Sequence, residues 1–133
     1  MAECKIVRGG TGFEGKQGLS YFSGISRESA GTERICMHLL EMQPGARAIP
    51  HYHEDHETAI FMLEGVSEML YGDHLEHKMR VEAGDFVYIP AGVPHLPYNP
   101  GASIARAVLA RTDPNEQESV VLCPHLEKPV TDD

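Results

Sequence analysis

The stretch HYHEDHET at residues 51–58 places three histidines and three acidic residues within eight positions. His51 and His53 are two residues apart, and side chains at that spacing on a β-strand project from the same face. Two neighbouring imidazoles can chelate one cation through their neutral ring nitrogens. The pair is therefore a candidate metal site, although two histidines on one strand can also be ordinary solvated residues.

A third histidine follows a second strand-like segment. The apolar residues 86–90 end in the turn PAGVP, and this rigid turn holds His95 in a fixed position. Three histidines from two strands can meet one divalent ion. We expect Mn, Fe, Co, Ni, Cu or Zn rather than Ca or Mg, because imidazole nitrogen is a poor ligand for the two hard cations.

The elements around these histidines read as short strands separated by Gly and Pro turns. Candidate strands lie at residues 35–42, 51–65, 66–73, 74–81, 86–90, 103–111 and 119–123. Residues 1–34 are rich in Gly and Ser and predict loops with one or two edge strands. Helical periodicity is absent over any stretch of ten residues, so the chain is expected to form a β-sandwich or β-barrel.

Both histidine segments resemble the two signature motifs of the cupin superfamily. The second motif, G-x5-P-x-G-x2-H-x3-N, is matched by Gly84, Pro90, Gly92, His95 and Asn99. The first motif, which begins G-x5-H-x-H, is matched by Gly45, His51, His53 and Gly65. The resemblance implies an all-β fold, the double-stranded β-helix or jelly-roll barrel. It also implies a single cupin domain over residues 1–133, with a barrel core at about residues 34–112.

The glutamate of the first motif has no unambiguous counterpart. One spacing rule places it at Glu57 and the other at Thr58. A one-residue bulge would turn Glu57 inward, and the resemblance then implies the metal ligands His51, His53, Glu57 and His95. Without it, three histidines and water would bind the ion, as in thiol dioxygenases of the superfamily. We favour Glu57, because a carboxylate balances the charge of the cation. His56 is a further option for the fourth ligand, expected instead to be a solvated loop residue.

The resemblance allows several functions. The favoured one is a metalloenzyme acting on a small anionic or carbonyl-containing substrate, as a dioxygenase or decarboxylase. The alternatives are a metal- or metabolite-binding module without catalysis, and a non-redox sugar isomerase or epimerase. Tyr52, Tyr98 and, if it is not a ligand, Glu57 are candidate catalytic residues. The only arginines near the motifs in sequence are Arg47 and Arg106, so phosphosugars are disfavoured.

Composition limits the partners and the location. The net charge of −9 and the scattered basic residues argue against nucleic acid and against anionic membranes. Three widely spaced cysteines indicate no disulfide framework. No secretory signal and no apolar run of about 20 residues is present, so we expect a cytoplasmic protein. By resemblance to small cupins, we expect a homodimer that pairs through a barrel face or through the terminal segments.

Overall fold

A computed structural model describes residues 3–8, 12–115 and 119–130 as two facing antiparallel β-sheets. The strands are β1 (Gly12–Glu14), β2 (Ser20–Ile25), β3 (Cys36–Met42), β4 (His51–His53), β5 (Thr58–Glu64), β6 (Val66–Tyr71), β7 (His77–Glu82), β8 (Phe86–Ile89), β9 (His95–Tyr98), β10 (Ala105–Arg111) and β11 (Val120–Leu122). One sheet has the order β1-β2-β3-β10-β5-β8 and the other β11-β4-β9-β6-β7. A short helix, α1 (Arg27–Ala30), and a 3-10 turn at Pro124–Leu126 complete the described elements. The jelly-roll fold expected from the sequence is confirmed.

Alternating side chains build the core between the sheets. On β10, Ala105, Ala107, Leu109 and Arg111 are buried, while Arg106 is exposed. Strand β3 shows the same two-residue period, and all seven residues of β10 pair with it in register. Because alternate side chains of a strand point to opposite faces, this pattern fixes one face of each strand inside the barrel.

Segments on both sides of the expected core add strands to the sheets. Strands β1 and β2 lie in residues 1–34, as expected, and β2 pairs with β3 in the six-stranded sheet. Strand β11 pairs with β4, so that Val120 and Leu122 lie opposite His53 and His51. Strand β9 was not expected: the sequence indicated a turn there, yet His95–Tyr98 lies between β4 and β6.

The outer faces of the two sheets differ. The C-terminal residues Leu126 and Val130 pack against Leu70, Leu96 and Tyr98 on the outside of the five-stranded sheet. The Lys128 ammonium group also donates a hydrogen bond to the carbonyl of Leu75. On the six-stranded sheet, the outward side chains include Met37, Leu39, Phe86 and Tyr88, which are 46 to 83% exposed. No helix in the described ranges is long and apolar enough to cross a membrane.

Candidate metal centre

Three buried histidines meet at the junction of β4 and β9. His51 and His95 are paired across the two strands, and His53 lies one strand repeat further along β4. Their ring centroids are 4.3 to 5.3 Å apart. One nitrogen from each ring can be chosen so that all three lie within 4.8 Å of one another. The structure thus brings together the three histidines identified from the sequence.

Backbone carbonyls orient two of the three rings. His51 Nδ1 lies 2.6 Å from the carbonyl oxygen of Ile49, and His95 Nδ1 lies 2.9 Å from that of Val93. A carbonyl oxygen can only accept a hydrogen bond, so each Nδ1 carries the proton. Each Nε2 therefore keeps its lone pair, which is the form in which imidazole binds a metal ion. The donor set fits a transition-metal ion.

The surroundings keep these rings neutral. Burial lowers the pKa of His51 to about 3 and that of His95 to about 4. Burial also lowers the pKa of His53, and the nearby His95 and the positive charge of Arg111 lower it further. A buried histidine with a low pKa is already neutral at pH 7, so no proton has to leave before the ring coordinates a cation.

The fourth expected ligand is not part of this cluster. Glu57 is exposed, and its carboxylate accepts a hydrogen bond from the Tyr88 hydroxyl on the outside of the barrel. Strand β5 begins at Thr58, which pairs in register with Ile89 and Arg111. The bulge that would turn Glu57 inward is therefore absent at this position, and Thr58 lines the cavity in its place.

The other expected catalytic candidates lie away from the three histidines. Tyr52 projects from the opposite face of β4, because it stands between the inward-facing His51 and His53. Tyr98 is buried on the outer side of the five-stranded sheet, where its hydroxyl donates a hydrogen bond to Glu68 at 3.0 Å. Neither tyrosine lines the central cavity.

His56, expected to be solvated, is only 2% exposed. Its ring centroid is 4.6 Å from that of His53, and its Nδ1 lies 3.6 Å from a carboxylate oxygen of Asp113. It is not a member of the three-histidine group. No signal in the sequence of this loop indicated burial, because residues 54–57 lie between strands and have no alternation to follow.

The three histidines open into a cavity of about 60 Å³ inside the barrel. A cavity needs at least about 10 Å³ of volume to hold one water molecule, so this one has room for a ligand of a few non-hydrogen atoms. Most of its wall is apolar, including Leu40, Met42 and Met62. Of Phe61 and Met62, one was expected to face the pocket, and Met62 does.

Arg111 adds a buried positive charge to this cavity. Its side chain lies in the cavity wall at 4% exposure, and its guanidinium carbon is 5.4 Å from the centre of the Tyr21 ring. Proximity to the motifs in sequence does not indicate Arg111, because it lies 16 residues beyond His95. No Asp or Glu of the described residues lines the cavity. The chamber therefore combines nitrogen ligands and a cation without a carboxylate.

Comparisons with known proteins agree with this architecture. A family model described as a cupin domain matches residues 38–110. A crystal structure of oxalate decarboxylase from Lactobacillus farciminis is similar, with a TM-score of 0.69 and 18% identity over 85% of this chain and 33% of that one. This chain thus spans about a third of the length of that enzyme.

Two further solved structures are similar to this chain. The polyketide cyclase RemF from Streptomyces resistomycificus has a TM-score of 0.66 and 25% identity over 90% of this chain and 78% of that one. A recombinant oxalate oxidase in complex with glycolate has a TM-score of 0.67 and 22% identity over 80% of this chain and 56% of that one. No curated protein matches the sequence.

Proposed function

Since this chain belongs to the cupin domain family, we propose that it is a small metalloenzyme that acts on a small organic acid. In this proposal His51, His53 and His95 hold one divalent transition-metal ion. Mn, Fe, Co, Ni, Cu and Zn all accept imidazole ligands, and the three histidines do not select one of them. When bound, such an ion supplies Lewis acidity and, if it is redox-active, electron transfer.

The observation that carries the proposal is the burial of Arg111 in the same cavity as the three histidines. One divalent ion among the three imidazoles and the Arg111 guanidinium would give the cavity lining positive charge, and no Asp or Glu of the described residues lines it. A positive lining attracts an anion more strongly than a neutral molecule, so the cavity favours an anionic ligand. A guanidinium presents parallel N–H donors that match the two oxygens of a carboxylate. Oxalate decarboxylase and oxalate oxidase, which share the fold, are named for such an acid.

The cavity supports an oxidative or decarboxylating reaction better than an isomerisation. A sugar isomerase needs a base to move a proton between carbons. Glu57, the expected base in that case, lies outside the barrel, and no described carboxylate lines the cavity. Arg111 can instead hold the acid while the apolar wall excludes water. Dioxygenase or decarboxylase chemistry is therefore our preferred class.

A binding experiment with two arginine variants tests the anion proposal. The protein is loaded with Co²⁺ and titrated with acetate, pyruvate, oxalate and malonate, and with the neutral amides of the same acids. We expect the acids to bind and the amides to bind at least about tenfold more weakly, corresponding to one charge-assisted hydrogen bond. Arg111→Gln should abolish this preference. Arg106→Gln is the matched control, because it removes a guanidinium from the other face of β10.

Turnover distinguishes an enzyme from a binding module. The Fe²⁺-, Mn²⁺- and Co²⁺-loaded proteins are supplied with the acids that bind, and oxygen uptake and CO2 release are measured. Turnover that is lost in His95→Ala and reduced in Arg111→Gln supports the enzyme. Tight binding of an acid with no oxygen uptake and no CO2 release would favour the binding module. Equal affinity for acids and amides would contradict the anion proposal itself.

We also propose that the chain forms a homodimer through the outer face of the six-stranded sheet. In register, Leu39, Val108, Phe61 and Phe86 form one apolar row across four strands, and Met37, Ala110, Ala59 and Tyr88 form the next. Four strands spaced about 4.8 Å apart give the two rows a planar area of a few hundred Å². Apolar patches of that size typically mark interaction sites, and this one suits the centre of a standard interface.

Charge favours a second copy as the occupant of this face. Two chains of net charge −9 repel each other unless their carboxylates stay apart. The two apolar rows carry no ionisable side chain other than the Tyr88 hydroxyl. Among the neighbouring carboxylates, Glu41 and Glu64 are bonded to Arg106, and Glu57 is bonded to Tyr88. Identical faces can therefore meet in an isologous pair. Light scattering that gives a monomer mass at micromolar concentration would contradict the dimer. The cytoplasmic location stays a prediction.

A further inference from the structure

Two of the three histidines in the metal centre are oriented by backbone carbonyls, but the third has a different neighbour. The Nδ1 atoms of His51 and His95 face the carbonyl oxygens of Ile49 and Val93, each two residues earlier in the chain. The His53 ring lies against the His56 ring, with the ring centroids 4.6 Å apart and the rings tilted by 44°. Contact between the two rings restricts the rotation of His53, so the position of His56 bears on the orientation of His53.

The loop after β10 brings a carboxylate beside His56. One carboxylate oxygen of Asp113 lies 3.6 Å from His56 Nδ1, and the other accepts a hydrogen bond from the Asn115 backbone at 2.8 Å. The Asp113 carboxylate is thus fixed by its own turn. Burial of His56 at 2% and of the Asp113 side chain at 14% shields this contact from water.

Hydrogen bonds tie this loop to the loop that carries His56. The Glu57 backbone N–H donates to the Thr112 hydroxyl at 3.0 Å, and the Thr112 N–H donates to the Glu57 carbonyl at 3.2 Å. These bonds continue the pairing of β5 with β10 beyond Thr58 and Arg111. They fix the positions of the residues adjacent to His56 and Asp113. The arrangement is therefore built by the sheet and does not depend on a chance approach of two side chains.

We propose that His56 and Asp113 are positioning residues that hold the His53 ring in its metal-binding orientation. This inference rests on the proposed metal site. Asp113 fixes His56, and the His56 ring packs against His53 and limits its rotation. Ligand histidines in metal sites usually depend on such neighbouring groups, and removal of the neighbour typically lowers metal affinity about 10- to 100-fold. Neither residue needs to touch the ion in this scheme.

Metal affinity and the spectrum of a bound probe ion test the proposal without any turnover. Co²⁺ affinity is measured by competition with a chelator, and the visible Co²⁺ spectrum reports the geometry of the ligands. We expect His56→Ala and Asp113→Asn to weaken Co²⁺ binding about 10- to 100-fold and to change the spectrum. Asp113→Glu, which keeps the carboxylate, should restore part of the affinity. Asp55→Asn is the matched control, because it removes an exposed carboxylate from the same loop.

A second variant separates the contribution of the His56 ring to metal affinity from that of its nitrogen atoms. His56→Phe keeps an aromatic ring against His53 and should retain more affinity than His56→Ala. Thermal unfolding of the metal-free variants verifies that each one folds. Wild-type affinity and an unchanged spectrum in both His56→Ala and Asp113→Asn would overturn the positioning role.

Direct ligation by His56 would also overturn the proposal. Pulsed electron paramagnetic resonance of the Cu²⁺-loaded protein counts the coordinated imidazoles. We expect three in the wild type and three in His56→Ala, whereas a drop from four to three would make His56 a ligand. A wild-type chain that binds neither Co²⁺ nor Cu²⁺ would overturn the proposed metal site itself. By contrast, a wild type that binds Co²⁺ and variants that bind it with the same affinity would overturn the positioning role alone.

Discussion

The inner and outer faces of the six-stranded sheet come from the same strands but carry different chemistry. The inner face joins the apolar core to buried polar groups, with Leu109 and Arg111 of β10 both lining the cavity. The outer face of the same strands presents apolar side chains to solvent, among them Val108 and Phe61 beside the 83% exposed Phe86. The inner face is therefore more polar than a usual protein interior, and the outer face is more apolar than a usual protein surface.

These departures have different physical costs and so indicate different roles. A buried guanidinium gives up its hydration, so within a cavity it favours contact with an anionic group. Exposed aromatic side chains lose the free energy that burial would give, about 25 cal/mol for each Å² of apolar surface. The inner face is therefore suited to a small charged ligand and the outer face to a second apolar surface. The following predictions test whether the two faces are independent.

Removal of one histidine should have the largest effect, and it should be confined to the inner face. His95→Ala leaves His51 and His53 as a two-nitrogen site, and we expect Co²⁺ affinity to fall about 1,000-fold, or about 4 kcal/mol. Chelator competition measures the change. His77→Ala is the control, since that histidine is exposed on β7. The mass measured by light scattering should be the same in both variants, and a change in mass with His95→Ala would show that the faces are coupled.

The pH dependence of the metal-free chain should show the next largest effect. The pKa is about 3 for folded His51 and about 4 for folded His95, whereas unfolded histidine titrates near 6.5. Below pH 6.5 the unfolded chain thus binds more protons, so the free energy of unfolding falls as the pH decreases toward the folded pKa values. Between pH 7 and pH 5 we expect a loss of about 2 kcal/mol for each of these two histidines. His53 should add to the loss in the same direction, because burial lowers its pKa as well.

Urea unfolding at the two pH values measures this loss. His95→Ala should lose about a third of the pH dependence, because His51 and His53 remain buried. His77→Ala, at an exposed position on β7, is the control. A free energy of unfolding that stays constant from pH 7 to pH 5 would contradict the burial of neutral rings. Outer-face variants should follow the wild-type pH profile, because their substituted positions lie away from the histidines.

The strand pattern of the sequence predicted much of this arrangement. The spacing of His51 and His53 placed both on one face of β4, and the turn before His95 brought the third ring to them. Alternation would also have placed Arg111 inside, because it continues the inward series Ala105, Ala107, Leu109. Arg111 lies outside both motifs, however, so the motifs alone indicate only the neighbouring Arg47 and Arg106.

Loop residues and pairings between distant segments were harder to predict. Counting alone left Glu57 and Thr58 as alternatives, and the pairing of Thr58 with Ile89 and Arg111 is what places Thr58 inside. His56 is buried beside Asp113, a residue 57 positions later in the chain. Such contacts form only when β5 and β10 pair, so no local pattern in residues 54–57 could indicate them.

Replacement of Arg111 should show that the inner charge serves binding and not stability. Arg111→Met keeps much of the apolar volume and removes the buried charge, so we expect the free energy of unfolding of the metal-free chain to change by less than about 1 kcal/mol. Urea unfolding at pH 7 measures the change. Arg106→Met is the control on the outer face, where the ion pairs with Glu41 and Glu64 are exposed and contribute little. A clear loss of stability in Arg111→Met would show that the arginine is structural.

The smallest effect on stability should come from the outer face, where one substitution changes association alone. Phe86 is 83% exposed in the single chain, so Phe86→Lys should alter the free energy of unfolding of the monomer by less than about 0.5 kcal/mol. In a dimer, however, the two apolar faces would bury the introduced ammonium groups without a partner. We therefore expect light scattering to give the monomer mass for this variant and the dimer mass for the wild type. Glu76→Lys is the control, since it adds positive charge at an exposed residue before β7. His51, His53 and His95 lie on the five-stranded sheet, whereas Phe86 lies on the outer face of the six-stranded sheet. Unchanged Co²⁺ affinity in monomeric Phe86→Lys would therefore show that the metal centre is complete within one chain.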